Sequence, residues 1–127
     1  MSATIALHRL AENFLGLARQ GAQAGFAAND VMKVRNAAER AWMGALQATD
    51  AAMARYGLIP EPGPRAESSR LEFLQSAGRP DLAKDLAKFR DELHGNCYYR
   101  GIIPSDGEMS AALDAVAAYI RLVSEET

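Results

Sequence analysis

The sequence of 127 residues contains few of the features that mark secreted, metal-binding or membrane proteins. Its one cysteine, Cys97, cannot form an internal disulfide, and His8 and His94 are too far apart to suggest a structural zinc site. No window approaches the roughly 18 consecutive apolar residues of a membrane span. Residues 1–20 lack the basic start and unbroken apolar stretch of a secretory signal. We therefore predict a cytoplasmic protein that needs no metal or other cofactor and does not enter a membrane.

Residues that favour strands are also scarce. Val, Ile and Thr together occupy 12 positions, whereas alanine alone occupies 25. This ratio predicts helices, because alanine has the highest helix propensity and β-branched residues favour sheets. The net charge of −2 argues against a protein that binds duplex DNA mainly through its charge. The length is that of one domain, so we expect a single helical domain over residues 1–127.

The first half of the chain has the pattern of two long helices. The first is predicted to begin at residue 2 or 3 and to be loosened by Gly21 and Gly25. Asn29 or Asp30 is placed to cap a second helix over about residues 31–56. The inward stripe predicted for the first helix consists of apolar side chains three or four residues apart: Leu7, Leu10, Phe14 and Leu17.

The pattern of the second half predicts up to three further helices after a connector, residues 58–64, in which three of the last five residues are proline. A short helix fits residues 66–77, and Pro80 is suited to the first turn of the next one. Ser105 and Glu108 form a capping-box pattern before the last helix. Two core stripes are predicted: Leu82, Leu86, Phe89, Leu93 and Cys97, and then Met109, Leu113, Val116, Ile120 and Val123. The fold class is therefore an all-α, up-and-down bundle of four to five helices.

A polar stripe runs beside the first of these core stripes. Arg90, His94 and Tyr98 are spaced four apart, so a helix places them along one face. Histidine exchanges protons near neutral pH, and an arginine one turn away supplies a permanent charge for a phosphate. These two side chains are sufficient to cleave RNA by attack of its own 2′-hydroxyl without a metal. The neighbouring residues that we expect to support the site or bind substrate are Asp91, Asn96, Tyr98, Tyr99 and Arg100.

A plainer interpretation of the same stripe stays open, because any amphipathic surface helix carries polar residues beside its apolar face. In that case Asp91 or Glu92 neutralises Arg90, and His94 is a half-buried residue that bonds to a neighbour. Glu39 is expected to form a solvated charge pair with an arginine of its own helix.

The overall pattern resembles the HEPN superfamily, which consists of small helical domains. The segment 37–42, Ala-Ala-Glu-Arg-Ala-Trp, is similar to the start of the long early helix of that family. The segment 89–94, Phe-Arg-Asp-Glu-Leu-His, resembles its motif of an arginine, a polar residue and a later histidine. The segment 93–98, Leu-His-Gly-Asn-Cys-Tyr, is similar to a variant in small prokaryotic members. The resemblance extends over approximately residues 30–124.

This resemblance implies RNA or nucleotide binding, and in many members metal-independent endoribonuclease activity of a toxin or defence type. Arg90 and His94 would then be the catalytic pair, with Asp91 as the polar residue after the arginine. Such members are often homodimers, and some pair with a nucleotidyltransferase-like antitoxin that modifies a tyrosine, for which Tyr98 is the counterpart. Only three residues separate Arg90 from His94, fewer than in most active members, whereas Lys88 would give the usual gap.

A second class of function stays open beside the enzyme. Some HEPN-like domains only bind nucleotides or partners, so the chain is alternatively a non-catalytic helical interaction module that dimerises or binds a partner protein. The slight acidity of the sequence favours this alternative. Basic residues grouped between positions 84 and 100 favour RNA: Lys84, Lys88, Arg90 and Arg100.

Overall fold

Helices account for most of residues 2–126, the part of the chain that this computed structural model describes. The five α-helices are α1 (Ala3–Ala28), α2 (Val31–Ala54), α3 (Ala66–Ser76), α4 (Pro80–Phe89) and α5 (Asp106–Glu126). A 3-10 turn, Gly63–Arg65, precedes α3. Helix α4 continues into a π-helical stretch, Arg90–Tyr99, which we call the π segment. The predicted all-α bundle of four to five helices is confirmed.

The residues predicted to start the helices do so. Asp30 caps α2, because its Oδ1 atom accepts hydrogen bonds from the backbone N–H groups of Met32 and Lys33 at 3.1 and 3.2 Å. Pro80 occupies the first turn of α4. Ser105 and Glu108 form the expected reciprocal capping box before α5. Local sequence therefore fixes where these three helices begin.

The inward stripe predicted for α1 is wrong at Leu10 and Leu17, whereas its other members, Leu7 and Phe14, are half-buried. The helix runs through Gly21 and Gly25 without a break. Leu10 and Leu17 are 40% and 45% exposed, whereas the buried positions are small residues: Ala11, Ala18, Ala22 and Gly25. These residues permit a close approach between α1 and α2. A Cβ atom added at Gly25 would lie 2.8 Å from the Cγ2 atom of Val34.

Helix α2 is the centre of the bundle, since it contacts every other α-helix and the π segment. It ends at Ala54, two residues before the predicted end, and Gly57 then adopts a positive φ of 71°. Both core stripes predicted for the second half are buried: Leu82, Leu86, Phe89, Leu93 and Cys97, with Met109, Leu113, Val116, Ile120 and Val123. Within residues 2–126, no helix is long and apolar enough to cross a lipid bilayer.

Candidate functional site

The polar stripe falls in the π segment rather than in a regular α-helix. The backbone N–H of Arg100 donates to the carbonyl of Gly95, five residues earlier, at 3.0 Å. Such i to i−5 bonds widen the turn, and π-helical turns are rare and frequently occur at functional sites. The apolar side of the segment still packs inward, because Leu93 and Cys97 are buried. Leu93 and Cys97 therefore anchor the segment in the core, and the half-buried His94 and Tyr98 lie outside that buried side.

His94 bonds to Glu39 of α2 across the helix interface. Its Nδ1 atom lies 2.8 Å from Oε1 and 3.0 Å from Oε2 of that carboxylate. An ionised carboxylate only accepts hydrogen bonds, so a hydrogen bond at this contact requires the hydrogen to be on Nδ1. The side chain of His94 is 41% exposed, and its Nε2 atom has no hydrogen-bond partner among residues 2–126. The expectation that Glu39 pairs with an arginine of its own helix is wrong.

Two aromatic rings flank the imidazole of His94. The ring of Tyr98 stacks on it with centroids 6.0 Å apart and an interplanar angle of 23°. The ring of Trp42, which is buried in α2, lies 6.1 Å away at a tilt of 30°. The predicted alignment of His94 with Tyr98 is therefore present. Trp42 is a core residue that forms one wall of the site.

Arg90 is engaged by two carboxylates rather than by His94. Its Nε atom lies 3.0 Å from Oδ1 of Asp91, and its Nη1 atom lies 3.2 Å from Oε2 of Glu67 on α3. These contacts raise the pKa of the Arg90 guanidinium above its ordinary value, and the hydrogen bond with Asp91 has the largest effect. Within the described residues, no hydrogen bond or ion pair joins Arg90 to His94. The plainer interpretation, in which Asp91 pairs with Arg90, is confirmed for that contact.

The remaining candidate residues lie at the end of the π segment. The side chain of Asn96 accepts a hydrogen bond from Nη1 of Arg100 at 3.2 Å, so these two residues form one polar pair. Tyr99 is 76% exposed, and among residues 2–126 no hydrogen bond or ring pair joins it to His94. The structure therefore brings Tyr98 to the histidine, whereas the half-buried Asn96 and the exposed Tyr99 and Arg100 lie beyond it at the end of the segment.

Arg35 of α2 fixes the end of the π segment against α2. Its guanidinium donates to the carbonyl of Tyr98 through Nε at 3.0 Å and through Nη2 at 2.7 Å. A third bond of 3.2 Å reaches the carbonyl of Tyr99. Carbonyl acceptors neutralise no charge, so Arg35 keeps a full positive charge beside the aromatic residues of the site.

Three residues of this site were not predicted from the sequence: Glu39, Glu67 and Arg35. Each of them lies on a different helix from the residue that it contacts and is 23 to 64 residues away in sequence. One feature of the sequence could have indicated two of them. Arg35 and Glu39 lie four residues apart, and Trp42 lies three residues after Glu39, so a helix places all three on one face.

The site contains the imidazole of His94, three carboxylates and two guanidinium groups: those of Glu39, Glu67 and Asp91, and those of Arg35 and Arg90. A half-exposed imidazole with one occupied nitrogen can accept a proton at the other, as a general base does. In the described part of the chain, no three His, Cys, Asp or Glu side chains cluster closely enough to hold a metal ion. No known protein-family model, curated protein or solved structure matches the chain.

Proposed function

We propose that this chain is a HEPN-like domain that binds RNA or a nucleotide, and that it cleaves RNA without a metal by means of His94 and Arg90. One observation carries the proposal. The imidazole of His94 is 41% exposed, its Nδ1 atom is held by Glu39, and its Nε2 atom has no partner among residues 2–126. A ring held in this way has one nitrogen available for proton transfer to or from a ligand.

The proposed reaction is attack of an RNA 2′-hydroxyl on the adjacent phosphodiester. Nε2 of His94 takes the 2′-hydroxyl proton while the 2′-oxygen bonds to phosphorus and the bond to the 5′-oxygen breaks. The products are a 2′,3′-cyclic phosphate and a 5′-hydroxyl whose proton comes from water. Arg90 stabilises the negative charge that develops on the phosphoryl oxygens, because its Nη2 atom has no hydrogen bond to another described residue.

The proposed partners are a second copy of the chain, RNA, and a nucleotidyltransferase-like antitoxin. A second copy of the chain in a homodimer would bring a second Arg90–His94 pair to the RNA. Tyr99 and Arg100 are exposed and suit contacts with unpaired bases and with their phosphates. Tyr98, which stacks on His94, is the residue that a nucleotidyltransferase-like antitoxin would modify, and a group attached there would cover the imidazole.

The test is RNA cleavage in the presence of EDTA. End-labelled total RNA and tRNA are incubated with the wild type, His94→Ala and Arg90→Ala, and His8→Ala serves as the control for loss of a histidine elsewhere. His8 bonds instead to Glu12 and Ser124. We expect discrete cleavage that falls by about 10²-fold or more in the first two variants and persists in the control. Undiminished cleavage by His94→Ala rejects the mechanism, and absence of cleavage by the folded wild type rejects the nuclease.

A second candidate function is the non-catalytic interaction module. Two observations favour it: the charge of Arg90 is already matched by carboxylates, and apolar side chains are exposed near the site. Met32 is 51% exposed and contacts Arg35, which also bonds to the carbonyl of the exposed Tyr99. Under this alternative the wild type neither binds nor cleaves RNA. Sedimentation then measures self-association, which Met32→Ser and Tyr99→Ser would weaken.

A further inference from the structure

We propose that Glu39 is a positioning residue for His94. It holds the imidazole in the tautomer with hydrogen on Nδ1, and it thereby makes Nε2 the nitrogen that exchanges a proton with the ligand. The role in RNA cleavage rests on the proposed function, whereas the effect of Glu39 on the ring is measurable without RNA.

The contact between the two side chains is specific. Both carboxylate oxygens lie within hydrogen-bond distance of Nδ1, at 2.8 and 3.0 Å. Among the residues that the structure describes, the Glu39 carboxylate forms no other hydrogen bond or ion pair. Its side chain is 25% exposed, so water screens the pair less than it screens a fully solvated one. The carboxylate is therefore committed to this one ring nitrogen.

Helix α2 supplies the framework that keeps this contact in place. Arg35, Glu39 and Trp42 are spaced by four and three residues and lie on the face of α2 that meets the π segment. Arg35 fixes the backbone carbonyl of Tyr98, and Trp42 packs beside the imidazole ring. Arg35 and Trp42, one turn before and one turn after Glu39 on α2, therefore already restrict the position of the ring that the Glu39 carboxylate contacts.

The contact has a chemical consequence for proton transfer. When Nε2 accepts a proton, the ring becomes an imidazolium whose Nδ1–H faces an ionised carboxylate, and charge-assisted hydrogen bonds of this type are the stronger ones. Glu39 therefore stabilises the product of the transfer without touching RNA. Its removal should lower kcat and leave KM nearly unchanged. We expect kcat to fall by about 10- to 100-fold, which is less than the ~10²- to 10⁴-fold that a general base itself contributes.

Nitrogen-15 NMR of the 127-residue chain tests the positioning role directly. The wild type, Glu39→Met and Glu92→Met are labelled at histidine, and the resonances of His94 are assigned by their loss in His94→Gln. Spectra are recorded at a pH where the ring is neutral. Methionine has a length similar to that of glutamate and no strong acceptor, and Glu92 is an exposed residue of the same π segment. Circular dichroism verifies that each variant is folded.

We expect hydrogen on Nδ1 of His94 in the wild type and in Glu92→Met, and loss of that preference in Glu39→Met. Hydrogen on Nε2 in the wild type, or an unchanged tautomer in Glu39→Met, overturns the proposal.

If Glu39→Met does not fold, Glu39→Gln replaces it, since glutamine keeps an acceptor but has no charge. Then the tautomer should persist while kcat falls, and an undiminished kcat overturns the role of the charge. A wild type that holds the tautomer but cleaves no RNA contradicts only the proposed function.

Discussion

The Oε2 atom of Glu67 on α3 lies 3.2 Å from Nη1 of Arg90 at the start of the π segment. Asp91 takes the Nε side of the same guanidinium at 3.0 Å, and the Arg90 side chain remains 35% exposed. The cation closest in sequence to His94 is therefore bound by two carboxylates. A phosphate that binds Arg90 must compete with both of them, and α3 thereby influences a site built mainly by α2 and the π segment.

Replacing Glu67 with Gln should strengthen RNA binding. The substitution removes one competing carboxylate from Arg90, and exposed ion pairs are typically worth about 0.2–1 kcal/mol, so we expect affinity to rise by about 1.4- to 5-fold. Fluorescence anisotropy with labelled single-stranded RNA at low salt measures the change. Glu72→Gln is the control, because it makes the same charge change on the same helix beside Arg65. If the affinity for RNA rises equally in both variants, the cause is the change in net charge rather than the release of Arg90.

Two glycines of α1 should respond oppositely to replacement by alanine. At Gly25 a Cβ atom would lie 2.8 Å from Cγ2 and 3.0 Å from the backbone nitrogen of Val34, whereas at Gly16 it would meet nothing within 4 Å. Gly25→Ala should therefore cost about 1–3 kcal/mol of unfolding free energy. Gly16→Ala should add about 0.5–1 kcal/mol, because alanine is the better residue in a helix interior. Urea denaturation of both variants measures these changes, and changes of the same sign would contradict the close packing at Gly25.

The fold was predictable where local chemistry determines it. Asp30, Pro80 and Ser105 act through neighbours a few residues away, so their helix starts follow from the sequence alone. The stripe of α1 was not predictable in this way. Periodicity groups Leu10 with Leu17 on one face, but it does not say whether that face or the neighbouring one of small residues packs against α2.

The candidate site was predictable only in part, for a similar reason. Periodicity aligned His94 with Tyr98, and their rings do stack. It gave no indication of the π-helical turn, which depends on backbone bonds to the fifth residue rather than the fourth. The contact between Glu39 and His94 joins residues 55 positions apart, and only the packing of α2 against the π segment brings them together.

Removal of the Tyr119 hydroxyl should weaken the centre of the bundle. Tyr119 is 1% exposed, its hydroxyl lies 2.6 Å from Oγ1 of Thr49, and its burial raises the pKa of the phenol well above the ordinary value. Tyr119→Phe should cost about 0.5–1.5 kcal/mol of unfolding free energy, because one buried hydrogen bond is lost while Thr49 retains its bond to the carbonyl of Ala45. Urea denaturation measures the loss. Tyr56→Phe, at a position that is 61% exposed, is the matched control and should change stability little.

The capping box of α5 should make stability depend on pH. Hydrogen bonds from the backbone and side chain of Ser105 lower the pKa of Glu108 in the folded protein below its ordinary value of 4.5. A carboxyl whose pKa is lower when folded stabilises the protein above the unfolded value, and this contribution is lost as the pH falls through the folded value. Glu108→Gln lacks the titrating group. The wild type should therefore be the more stable protein at about pH 6.5, and its advantage should shrink at about pH 3. Urea denaturation of both proteins at the two pH values measures the difference, and an advantage that does not change with pH would contradict the role of the ionised carboxylate in the cap.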